Sequence, residues 1–125
     1  MSQNVIKEKS FTFALRIVKL AKYLHDEKKE FVLSRQILRS GTAVGALVRE
    51  AEHAQSKADF ISKMSIALKE ANETDYWIDL LSQSDHFKKD SYESIHPEIQ
   101  EIIKLLVAIV KTAKNNGKLR IKNGE

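Results

Sequence analysis

Two Glu-x-x-His spacings, Glu50-Ala51-Glu52-His53 and Glu93-Ser94-Ile95-His96, are the residues here whose types best suit metal chemistry. In di-iron helical bundles, two such motifs combine with a glutamate from each of the other two helices. Glu70 and Glu73 supply acids for a third helix, but the set does not close. The first helix has no acidic residue between Phe11 and His25, so one ligand is missing. His96 directly precedes Pro97, where helical geometry is disfavoured. Glu50 and His53 lie toward the charged end of the second helix, away from its stripe Val44, Val48 and Ala51. No metal or other cofactor is expected. The chain has no cysteine, which excludes disulfides, thiolate metal sites and cysteine nucleophiles. Its serines lack a nucleophile elbow, and its one close glycine pair lies in a helical pattern rather than a phosphate-cradling loop. The expectation is a protein that is not an enzyme.

The basic residues carry the stronger signal. Residues 1–33 hold seven basic and four acidic side chains, and residues 34–57 hold four and two. Residues 58–87 reverse the sign, with two basic against six acidic. Arg35, Arg39, Thr42, Ala46, Arg49 and His53 follow at offsets of 4, 3, 4, 3 and 4, which places them on one helical face. Arg16, Lys19 and Lys22 lie on the polar side of the first helix. Such a stripe fits phosphate contacts that position a nucleic acid without reading its bases. The same arginines also suit Glu70, Glu73, Asp75 and Asp79 as ion-pair partners, within the chain or in a neighbour. Composition leaves both uses open.

These side chains must be positioned by helices. One proline and four glycines in 125 residues leave few breakers, and strand-like alternation is scarce. A first helix is expected from Ser10 as N-cap to about Asp26, with Phe13, Ile17, Leu20 and Leu24 apolar and Ala14, Val18 and Ala21 widening that face. A second begins near Ser34 and carries Ile37, Gly41, Val44, Val48 and Ala51 on one face. Ser56-Lys57-Ala58-Asp59 has the form of a capping box opening a third helix through about Ser82. Along it Phe60, Met64, Ala67, Ala71, Thr74, Ile78 and Leu81 repeat with heptad spacing. In the fourth helix Pro97 either occupies the first turn or kinks a helix that begins near Ser91. Ile99, Ile102, Ile103, Leu106, Ile109 and Val110 form its apolar face, and Asn115-Asn116-Gly117 marks its end. The fold class is all-α, an up-down-up-down antiparallel four-helix bundle spanning residues 10–116. Residues 1–9 and the basic 117–125 are expected to be flexible ends.

Gly41 and Gly45 sit four residues apart inside the second helix, where each costs roughly 1 kcal/mol relative to alanine. That pattern predicts close approach of another backbone, within the subunit, across an interface, or one glycine to each. Trp77, the only tryptophan, reads as core or interface. The N-terminus lacks a signal-peptide core and the longest apolar run, 105–110, is too short to span a bilayer, so the cytoplasm is expected.

The segment Asp59-Phe60-Ile61-Ser62-Lys63-Met64-Ser65-Ile66-Ala67-Leu68-Lys69-Glu70-Ala71-Asn72-Glu73-Thr74-Asp75-Tyr76-Trp77 resembles the signature of bacterial four-helix bundles encoded in intervening sequences of 23S ribosomal RNA genes. The Arg39–Ala51 segment and Lys111-Thr112-Ala113-Lys114 also match, so the resemblance covers about residues 10–116. It implies a homopentamer around a central channel, kinship with the accessory variability protein of diversity-generating retroelements, and no established catalytic activity. Glu50 matches a glutamate typical of that family's second helix, whereas Leu47 and Arg49-Glu50-Ala51 depart from its usual residues. Together these readings give an oligomeric bundle binding RNA or DNA through Arg16, Lys19, Arg35, Arg39 and Arg49. Gly41, Gly45, Glu50, Glu73 and Trp77 are assigned to helix packing or an interface. The competing expectation is a scaffold whose basic and acidic helices pair between subunits or with a protein partner, without nucleic acid or membrane.

Overall fold

The computed structural model describes the backbone of residues 2–122 and the side chains of residues 4–116. Four helices follow one another: α1 (Ser2–Asp26), α2 (Leu33–Glu52), α3 (Lys57–Gln83) and α4 (Lys89–Lys122). Each packs on its neighbour in sequence and α4 closes back on α1, while the diagonal pairs stay apart among the described residues. This is an up-down-up-down four-helix bundle. Short connections force antiparallel neighbours, and the apolar stripe of each helix turns to the common axis.

The core follows the periodicities. Phe13, Ile17 and Leu24 from α1, Ile37, Val44 and Val48 from α2, Met64, Ile78 and Leu81 from α3, and Ile99, Ile102 and Leu106 from α4 are all buried. Each such side chain contributes roughly 1.5–3 kcal/mol over its exposed state. The face of α1 is narrower than its composition suggests, because Val18 stays half exposed.

The helix ends show how local chemistry sets boundaries. Ser56 caps α3 by accepting from the Asp59 N–H at 3.0 Å, and the Asp59 carboxylate reaches back to the Gln55 N–H at 3.1 Å. Glu30 caps α2 from outside, accepting from the N–H groups of Val32, Leu33 and Ser34 at 3.2, 3.0 and 2.7 Å. Asp85 takes a left-handed φ of 62° after α3, and the His86 N–H closes on the Leu81 carbonyl at 3.0 Å, a Schellman ending.

Three boundaries differ from the sequence reading. Helix α1 begins at Ser2, so Ser10 is buried inside it and its hydroxyl bonds back to the Lys7 carbonyl at 3.2 Å. Ile6, buried one turn earlier than Ser10, anchors the added turns. Helix α4 starts at Lys89, which puts Pro97 in its interior rather than its first turn. There the ring faces outward, and His96 keeps helical geometry despite its proline neighbour. At the other end α4 continues through Asn115-Asn116-Gly117 to Lys122, and the last three residues of the expected tail lie outside the described residues.

Candidate functional site

Of the four neighbouring helix pairs, α1 and α4 have the fewest close backbone approaches, and long polar side chains bridge them. Arg16 crosses it, with Nη1 3.0 Å from Glu98 Oε2 and Nη2 donating to Ser94 Oγ at 3.0 Å. Lys9 pairs with Glu101 at 3.1 Å two turns away. Beside Arg16 opens a cleft of about 430 Å³ whose lining includes Lys19, Tyr23, Phe87, Lys88 and Ser91. Three cations converge there, and no carboxylate is among its described lining residues. Phe87 and Ile95 in its lining are buried, while Lys19 and Lys88 are exposed.

The predicted arginine stripe of α2 is divided among its neighbours. Arg35 is exposed and lines a second cleft, of about 400 Å³, with Val18, Lys22, Phe31 and Leu38 between α1 and α2. Arg49 lies over the Phe11 ring of α1 at 4.9 Å. Arg39 turns the other way, toward α3. Its guanidinium donates to Glu70 at 3.2 Å and to Glu73, and the Trp77 indole N–H donates to the same Glu73 oxygen at 3.1 Å. Hydrogen bonds from Trp77 and Arg39 hold the Glu73 carboxyl below its ordinary value against the opposing effect of burial. Arg16 and Lys19 therefore share one cleft, Arg35 lies on the opposite side of α1, and Arg39 is engaged inside the subunit.

The glycines both meet α1. A methyl at Gly41 would lie 2.8 Å from Ile17 Cγ2, and one at Gly45 would lie 3.4 Å from the Ser10 carbonyl oxygen. Gly41 is thus the tighter position. Glu50 is exposed on α2, and Trp77 is half buried against the core with Tyr76 edge-on at 5.1 Å.

Two groups escaped sequence reasoning. Lys88 joins the Arg16–Lys19 cleft from the α3–α4 connection, across a sequence gap that no spacing bridges. Asp75 and Asp79, the suggested arginine partners, face α4 instead. There His96 Nε2 lies 3.3 Å from Asp75 Oδ1, Gln100 donates to Asp75 Oδ2 at 2.8 Å, and the Tyr92 hydroxyl donates to Asp79 at 2.7 Å. Their spacings, one turn apart on α3 and at Tyr92, His96 and Gln100 on α4, were the available signal.

An all-α bundle with a cationic cleft beside its loosest seam is the class that fold and site define. Residues 2–108 match the 23S rRNA-intervening sequence protein family, and the chain belongs to it. It is also similar to the crystal structure of a protein of unknown function from the S23 ribosomal protein family of Bacteroides thetaiotaomicron VPI-5482. The two share 58% identity over 89% of this chain and 99% of the other, with a TM-score of 0.87. No curated protein gives a match. Among the described residues no helix is long and apolar enough to cross a membrane.

Proposed function

We propose that this protein is a non-enzymatic, cytoplasmic homo-oligomer, a pentamer by its resemblance, that binds RNA or DNA through phosphate contacts. The observation that carries the reading is the α1–α4 cleft, where Arg16, Lys19 and Lys88 converge with no carboxylate among the described lining residues. Lys19, Lys88 and Arg35 are the phosphate contacts of this reading, since none has an acidic partner among the described residues. Arg16 and Arg39 are already paired and add less. Contacts of this kind give affinity that falls with salt and little discrimination between sequences.

The test is affinity for a structured RNA across a salt series, with the unmodified protein and with Lys19, Lys88 and Arg35 changed together to alanine. The variant is expected to bind more weakly and to lose about 0.7–0.9 of log–log salt slope for each phosphate contact removed. Absence of binding at low salt, or an unchanged slope in the variant, overturns the reading.

A scaffold without nucleic acid is favoured by a different observation. Phe11, Leu15 and Val18 form a row along α1, and each is about half exposed in the single chain. Rows of this kind mark association surfaces. Leu15→Glu with Val18→Glu is expected to lower the solution mass if that face is an interface. A strict monomer for the unmodified chain removes the assembly from both readings.

A further inference from the structure

Asp75 and Asp79 on α3 and His96 on α4 each present one ligand atom, and these atoms lie within 4.8 Å of one another. Among the described residues no lysine or arginine pairs with either carboxylate. Asp75 Oδ1 is buried without a hydrogen-bond partner, and it points toward His96 Nε2 at 3.3 Å. Two carboxylates therefore share a half-buried seam with one imidazole, an arrangement short of positive charge.

Each candidate ligand is also held from behind. Gln100 donates to the second oxygen of Asp75 at 2.8 Å. The Tyr92 hydroxyl donates to Asp79 Oδ1 at 2.7 Å and leaves Oδ2 for another partner. The Tyr92 ring stacks on His96 at 4.8 Å with an interplanar angle of 14°. Outer-shell groups of this kind orient metal ligands and tune their basicity.

We propose that Asp75, Asp79 and His96 bind one divalent transition-metal cation of the zinc class. The donor set selects the ion. One imidazole nitrogen with two carboxylates suits zinc, which accepts three protein ligands and keeps a fourth position open. The imidazole nitrogen disfavours magnesium and calcium, hard cations that take oxygen ligands. Bond lengths of about 2.0–2.2 Å place adjacent ligand atoms roughly 3.3 Å apart, the separation Asp75 and His96 already have. Asp79 completes the set by a side-chain rotation that brings its free oxygen inward. The Glu-x-x-His spacing thus contributes His96 alone, and its partners come from across the seam rather than from Glu93.

The test is calorimetric titration of the purified full chain with zinc chloride, repeated with Asp79→Asn, His96→Gln and Tyr92→Phe. Binding of one equivalent is expected, lost in the first two variants and weakened about tenfold or more in the third. Undiminished binding in both ligand variants, or no binding by the unmodified protein, overturns the site. A second measurement needs no variant: cobalt(II) should shift the ring resonances of His96 in the nuclear magnetic resonance spectrum. Shifts confined to His25, His53 or His86 overturn the proposal.

Discussion

On the flank of α3 that faces α2, Glu70 and Glu73 are bound by Arg39. On the flank that faces α4, Asp75 and Asp79 meet, among the described residues, only a histidine, a glutamine and a tyrosine as polar partners. The four acids lie within three turns of one helix, yet Glu73 and Asp75 titrate in opposite directions. Glu73 is held below its ordinary value, chiefly by the Trp77 indole and then by Arg39. Burial and then the Asp79 charge push Asp75 up. The Tyr92 hydroxyl, donating to Asp79, is pushed up to about 12. The difference teaches that an acidic helix is not a single electrostatic object. Whether a carboxylate is neutralised depends on which neighbouring helix it faces, and among the described residues only α2 supplies an arginine to α3.

The compensated flank should break hardest at its buried centre. Thr74 and Ser40 are fully buried, with their hydroxyl oxygens 2.9 Å apart, and Thr74 also lies 2.8 Å from the Glu70 carbonyl oxygen. Thr74 has one proton to give, so it donates to Glu70 and accepts from Ser40. Thr74→Val strands the Ser40 donor and is expected to cost about 1–3 kcal/mol in urea unfolding. Adding Ser40→Ala should return part of that loss, and a double variant no better than the single contradicts the hydrogen-bond assignment.

Arg39→Ala comes next. Arg39 is half exposed, so the expected loss is about 1 kcal/mol, shrinking as salt is raised. A loss that ignores salt would mean that packing of the side-chain stem, and not charge, joins α2 to α3. On the other flank the sign reverses. In metal-free buffer, Asp75→Asn removes a repelled carboxylate and is expected to raise the unfolding free energy slightly, by about a few tenths of a kcal/mol. A clear loss of stability would show that the His96 and Gln100 contacts outweigh the repulsion.

The smallest effect is in pH dependence, where the two flanks oppose each other. A carboxyl whose value is lowered by folding, as in Glu73, stabilises the protein above its ordinary 4.5 and loses that contribution as pH falls through the folded value. Asp75 is raised, so it gains stability as pH falls through its folded value and holds that gain in full below its ordinary 3.8. Stability measured on the unmodified chain and on Asp75→Asn should therefore differ at neutral pH and converge in the acid range. The variant should fall more steeply there. Coincident curves would remove the contrast between the flanks.

Much of the scaffold was legible. The heptad residues from Met64 to Leu81 are buried, and the Ser56–Asp59 box caps α3 where its spacing placed it. Glu30 was harder to see as a cap, because it acts from three residues before the helix through a long side chain. Ser10 misled for a physical reason. A serine before an apolar run is a common N-cap, and the polar residues preceding it offer only Val5 and Ile6 as a sign that the helix has already begun. At the candidate site, spacing put Arg35, Arg39 and Arg49 on one face, yet the fold sends them to separate surroundings.

Periodicity therefore determined four amphipathic helices, their order and their antiparallel arrangement, since each helix must bury its own stripe and the connections are too short for another path. Only the tertiary structure decided which charges meet. A residue's position in sequence fixes its angle around its own helix but not the axial offset or rotation of the next one. Core packing sets both, and so it gave Glu70 and Glu73 an arginine, left Asp75 and Asp79 facing a histidine, and brought Lys88 to Lys19.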